Sequence, residues 1–282
     1  MNEPRVYRHP SGQYFLILLA ILLLGGALFF MNTVGEDPWE VVFVGVMFLL
    51  ILIYGIFAVS NSIIITDTEI TAKNLLGEKN LAWGEIQQVS GSSGLKLKNM
   101  DGDLTISIQS ELPGFEEIVD TVGEKRPDLF SAQQFPEINS GLRFFIPLGL
   151  LAILLGGALV VLVYLSRDFA EVSAAFLMPM AVLIILMLFI LGMSLTTPRS
   201  ITMDGHTLTV RYLWRERILA ADEIESVALK FQSTRNGRVY YPVLNLKNGK
   251  NMRIPGLKVG PAVMYLVLKE WHKRQTGVRI SV

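Results

Sequence analysis

Four stretches of the chain, Tyr14 to Met31, Val41 to Val59, Phe144 to Leu165 and Val172 to Leu195, hold no Asp, Glu, Lys, Arg or His. As a helix the first would cover about 27 Å, close to the ~30 Å of a bilayer's hydrocarbon core. Connectors as short as Asn32 to Glu40 and Ser166 to Glu171 leave little polar chain to cover four such helices. The pattern therefore predicts four membrane-spanning helices arranged as two hairpins. The first run is too long for a cleaved leader, and no small-x-small site follows it.

Outside these runs the pattern changes to short alternating segments. Ile63-Ile64-Ile65, a turn at Asp67-Thr68 and Glu69 to Leu75 read as a hairpin. Further strands are expected at Lys79 to Trp83, Ile86 to Ser90, Leu95 to Lys98 and Leu104 to Ile108, the last two joined through Asp101-Gly102. Phe115, Ile118, Val119 and Val122 fall at i, i+3, i+4 and i+7, which predicts a closing helix with Pro113 in its first turn. The order recurs later: a turn at Asp204-Gly205, strands through Thr207 to Trp214 and Val239 to Leu246, a turn at Asn248-Gly249, and a helix opening at Pro261 with the stripe Met264, Val267, Leu268 and Trp271.

The recurrence is a duplication. Ile70 to Val89 aligns without a gap on Leu208 to Val227, keeping Thr71/Thr209, Leu75/Leu213, Glu78/Glu216, Leu81/Leu219, Ala82/Ala220, Glu85/Glu223, Ile86/Ile224 and Val89/Val227. The first and third apolar runs also share a Leu-Leu-Ala-Ile-Leu-Leu core followed by Gly25-Gly26 and Gly156-Gly157, which suits close helix packing. The expected map is a tail over 1–13, a transmembrane hairpin over 14–59, a β-domain over 60–130, a linker over 131–143, a second hairpin over 144–196, a second β-domain over 197–276 and a tail over 277–282.

The early hairpin, the segment Leu81-Ala82-Trp83-Gly84-Glu85-Ile86, the Asn99 to Gly102 turn and the closing helix together resemble the bacterial pleckstrin-homology-like (PH-like) membrane proteins. The second copy reads Ala220-Ala221-Asp222-Glu223-Ile224, without the tryptophan, and joins the resemblance through the duplication. The resemblance implies an α+β membrane protein in which each β-domain is a partly open barrel or sandwich capped by a C-terminal helix. In layout alone, two spans followed by a small β-domain are also similar to a photosystem assembly factor family.

Charge then sets orientation and partners. Arg5, Arg8, Lys125, Arg126, Arg143, Arg199, Arg211 and Arg215 flank the outer ends of the hairpins, whereas the connectors hold Glu36, Asp37 and Glu40 and a single Arg167. Basic flanks mark the cytoplasmic side, so a multi-pass protein of the cell (inner or plasma) membrane with both termini cytoplasmic is expected. Uncharged spans disfavour a proton relay or an ion pathway. Residues 61–130 carry 6 Lys/Arg against 12 Asp/Glu, and residues 197–282 carry 15 against 6. Opposite signs favour association between such domains, within a chain or between copies.

The chain has no cysteine, and His9, His206 and His272 are far apart, so no metal site and no cofactor is expected. Phosphate-binding glycine loops, HExxH and triad spacings are missing, and the adjacent carboxylates Glu116-Glu117 and Asp222-Glu223 read as solvated, so an enzyme is not expected. Trp83 reads as a core or membrane-edge residue. Arg211, Arg215, Arg217, Arg235 and Arg238 are the candidate residues for anionic lipid headgroups, each worth about 1 kcal/mol near an anionic surface. Since helical anchors would make headgroup recruitment redundant, the favoured reading is a non-enzymatic membrane scaffold or assembly protein. Its two β-domains would bind protein partners or further copies, besides membrane lipids, and no nucleic acid. The alternatives are an anionic-lipid sensor and an accessory subunit of a transporter.

Overall fold

In the computed structural model, residues 3–9, 38–140 and 198–277 are described, except 236, 255 and 256, together with short helical stretches between 20 and 26, 146 and 160, and 182 and 192. The chain divides into two compact units, Met1–Val89 with Gly94–Arg126, and Pro127–Val282 with Ser90–Ser93.

The first unit is built on antiparallel pairs whose alternation places one apolar row inward. Strands β1 (Arg5–Arg8), β2 (Ser62–Ile65), β3 (Glu69–Asn74) and β4 (Gly77–Ala82) form one four-stranded sheet in that order. Ile63 and Ile65 of β2, Ile70 of β3 and Leu81 of β4 are buried. Thr66 closes the β2–β3 turn, its backbone N–H donating to Glu69 O at 3.0 Å and its Oγ1 accepting from Glu69 N at 3.1 Å. After the 3-10 turn Trp83–Glu85, strands β5 (Gln88–Ser90), β6 (Leu95–Lys98) and β7 (Thr105–Ile108) form a three-stranded sheet. Leu95, Leu97, Ile106 and Ile108 make its inner face. The predicted stripe Phe115, Ile118, Val119 and Val122 is buried on the closing helix over Phe115–Lys125, with Pro113 just outside its start.

The second unit repeats this order. Strands β8 (Glu137–Asn139), β9 (Ser200–Asp204), β10 (Thr207–Arg211) and β11 (Glu216–Ala220) form a four-stranded sheet, and β12 (Ile224–Thr234), β13 (Gly237–Leu246) and β14 (Asn251–Arg253) a three-stranded one. Its closing helix, Pro261–Thr276, packs on β12 and β13 and buries Ala262 through Leu268 together with Trp271. It is thus enclosed over its first half rather than along a single stripe.

Two strands are unannounced by local pattern. Arg5–Arg8 pairs with β2 in the register Arg5↔Ile65 to Arg8↔Ser62, and Glu137–Asn139 pairs with β9 in the register Glu137↔Thr202 to Asn139↔Ser200. In each unit the edge strand precedes an apolar run and its partner follows the next, so chain far apart in sequence is joined in one sheet.

The expectation of four membrane-spanning helices is corrected. Among the described residues no helix is long and apolar enough to cross a membrane. The first, third and fourth apolar runs lie for the most part outside the described residues. The second forms a helix over Pro38–Ser60, whose side chains are described in part. Lack of charge shows how readily a segment leaves water; a crossing requires in addition a helix both long and apolar, and none is present among the described residues. The fold is a mixture of helices with four antiparallel sheets, and the multi-pass placement in the cell membrane with cytoplasmic termini is corrected on the same ground.

Candidate functional site

The five arginines singled out from sequence lie on two hairpins of the second unit. Arg211, Arg215 and Arg217 belong to the β10–β11 hairpin, and Arg235 and Arg238 to the β12–β13 hairpin. Arg211 Nε sits 2.9 Å from Glu216 Oε1, so its charge is already committed across the strand pair. The Arg215 guanidinium lies 4.7 Å from the centre of the Tyr212 ring, and that of Arg238 lies 4.8 Å from the centre of Phe231. Arg217 and Arg235 are exposed and have no acidic partner among the described residues.

Sequence reasoning missed the aromatic component of this surface. Trp214, at the β10–β11 tip, is 83 % exposed, and Ile218 beyond it is 64 % exposed. Phe231 and Val239 are exposed on the other hairpin, where Arg253 also lies 3.7 Å over the Tyr241 ring and donates to Gln232 Oε1 at 3.3 Å. Arginine held flat on an aromatic ring is preorganised, because the stacking fixes a side chain that would otherwise lose its rotamer freedom on binding.

A separate feature of the second unit is a cavity of about 650 Å³ lined by His206, Asp222, Glu225, Lys247, His272, Gln275 and Thr276, together with Ala221 and Ile224. Ala221 and Asp222 belong to the 3-10 turn Ala221–Glu223, which Glu223 caps by accepting from Ala220 N–H at 3.4 Å. The Ala221 N–H donates to His206 O at 2.8 Å, and His272 Nε2 lies 3.0 Å from Ile224 O. The histidines are distant in sequence, which hid their meeting. Only the alignment of Trp83 with Ala221 marked this turn as different from its counterpart.

In that counterpart Trp83 is buried and its indole donates to Thr66 O at 3.1 Å, which places it in the core. The Arg126 guanidinium donates to Trp83 O at 2.7 Å and also to Ile86 O. Glu117, read as solvated, accepts from the Tyr7 hydroxyl at 3.1 Å. Burial and the Glu117 carboxylate raise the Tyr7 phenol above its ordinary value, against a smaller lowering by Arg5. Burial lowers the His9 imidazole, partly offset by Glu111. Among the described residues no group of three His, Asp or Glu side chains is placed to hold a metal. No family model matches the chain, and no curated protein matches it.

Proposed function

We propose that the protein is a non-enzymatic binding scaffold whose second unit recognises a protein partner, or a further copy of the chain, through the aromatic and basic hairpin surface around Trp214. The observation that carries this reading is the exposure of Trp214 beside Arg215, itself stacked on Tyr212. Tryptophan, tyrosine and arginine are enriched at the centres of protein interfaces, where they bury much area. The basic balance of residues 197–282 favours an acidic partner. The repeated order of a four-stranded sheet, a three-stranded sheet and a closing helix supports the PH-like resemblance of both units.

Site-specific photo-crosslinking tests the reading. A photoreactive residue at position 214 is expected to give a discrete protein adduct in cells that the same residue at exposed Lys250 does not give. Identical adducts from both positions, or none from either, would remove it.

A second reading, an anionic headgroup held by arginine, is favoured by Arg217 and Arg235, whose charges have no acidic partner among the described residues. Dispersed short-chain phosphatidylglycerol would then protect both arginines from glyoxal modification, whereas phosphatidylcholine would not. Equal protection by the two lipids defeats it. The transporter-subunit alternative depended on membrane-spanning helices and is set aside with them.

A further inference from the structure

We infer that the cavity beside the Ala221–Glu223 turn is a binding site for a guanidinium group, supplied either by free arginine or by an arginine side chain of a partner. The two copies of this turn differ in what their carbonyls hold, and the hairpin surface plays no part in that difference.

In the first unit this turn already holds a guanidinium. Arg126, at the end of the closing helix, donates to the carbonyls of Trp83 and Ile86. In the second unit the aligned carbonyls are those of Ala221 and Ile224. His272, from the corresponding helix, reaches Ile224 O at 3.0 Å and so reproduces one of the two contacts. Among the described residues no side-chain donor is bonded to Ala221 O, which accepts only the Ile224 N–H that closes the turn. A carbonyl oxygen has two lone pairs, so a second donor can be accommodated there.

The surroundings suit a cation with several donors. Asp222 and Glu225 line the cavity with carboxylates, and neither is in an ion pair among the described residues. Lys247 contributes one opposing charge, so the lining holds two carboxylates and one ammonium. A planar guanidinium can bond a carboxylate with two parallel N–H groups and a carbonyl with a third, a geometry that a compact ammonium does not offer. At about 650 Å³ the cavity is large enough for an arginine side chain with its first aliphatic carbons.

The chain's histidines supply the readout. Of the three, His206 and His272 line the cavity and His9 belongs to the other unit. The full chain, labelled at histidine, is titrated with methylguanidinium, free L-arginine and a blocked arginine amide, with tetramethylammonium as a cation that cannot donate. Methylguanidinium is expected to shift the His206 and His272 ring signals saturably and leave His9 in place. The D222N/E225Q variant, which spares the capping Glu223, should weaken this by at least about tenfold. Tighter binding of L-arginine than of the blocked amide points to a free ligand, and the reverse points to a partner's side chain; both support the site. The inference fails if the signals do not move, if tetramethylammonium moves them equally, or if D222N/E225Q binds like the parent. An unchanged denaturation midpoint of the second-unit transition shows that the variant remains folded.

Discussion

Trp271 donates its indole N–H to the Gly205 carbonyl at 3.0 Å, and so does in the second unit what Trp83 does to Thr66 at 3.1 Å in the first. The two indoles come from different elements, a closing helix in one case and a 3-10 turn in the other. Where position 221 carries alanine instead of tryptophan, a tryptophan reaches the same turn from the helix. Gly205 has φ of +50°, a left-handed conformation that its lack of Cβ permits, so the carbonyl is presented by a turn that few other residues would hold.

Because Trp271 is 2 % exposed, its bond and its volume can be separated by mutation. Trp271→Phe keeps most of the ring but leaves the Gly205 carbonyl without its donor, at an expected cost of about 1–2 kcal/mol. Trp271→Ala also opens a cavity and should cost about 3–5 kcal/mol. Chemical denaturation of the second-unit transition measures both, and a Trp271→Phe variant as stable as the parent would show that the hydrogen bond contributes nothing.

Gly114 stands at φ +80°, and a Cβ there would overlap the ring of Tyr7. Gly114→Ala therefore meets backbone strain and a clash together, with an expected loss of about 1–3 kcal/mol in the first unit. Tyr7→Phe, which removes only the bond to Glu117, should cost about 1 kcal/mol. Thermal unfolding of the two variants checks the order.

Arg126 and Arg211 offer a contrast between a partly buried cap and an exposed pair. Arg126→Met strips the Trp83 and Ile86 carbonyls of a charged donor and should cost about 1.5–3 kcal/mol. Glu216→Gln breaks the Arg211 pair between side chains that are each about half exposed, and solvent screening keeps its cost below about 1 kcal/mol. Denaturation midpoints that reverse this order would contradict the assignment.

His9 gives the first unit a dependence on pH. Its folded pKa lies below the unfolded value near 6.5 because burial disfavours the imidazolium. The unfolded chain therefore binds the proton more readily in the interval below 6.5. This contribution to stability is fully present above pH 6.5 and is lost as the pH falls through the folded value. Denaturation midpoints at pH 7.5 and pH 5 should differ more in the parent than in His9→Gln, and equal slopes would exclude His9 as the cause.

How much of this was legible in the sequence depends on how local the signal was. Leu95 to Lys98 alternates strictly, and β6 has those bounds; Phe115, Ile118, Val119 and Val122 fall on one helical face, and that face is buried. Arg5–Arg8 and Glu137–Asn139 are only four and three residues long, and their partners lie beyond an apolar run, so no hairpin turn announces either. The lack of charge in the apolar runs predicts membrane spans, whereas among the described residues no helix is long and apolar enough to cross a membrane. The five arginines were singled out from charge and from the PH-like resemblance. Trp214 was not, since an exposed tryptophan and a core tryptophan look alike until the hairpin places one at its tip. The cavity joins His206 on a turn to His272 on a helix, and only tertiary structure makes them neighbours.

The most direct test of the account measures the affinity of whatever protein position 214 captures, for the parent chain and for Trp214→Ala, Arg217→Ala and Leu76→Ala, the last removing an exposed apolar side chain from the first unit. The account predicts that Trp214→Ala weakens binding by at least about thirtyfold, the mark of a central interface residue, that Arg217→Ala chiefly slows association, and that Leu76→Ala changes nothing. Parental affinity in Trp214→Ala would contradict it.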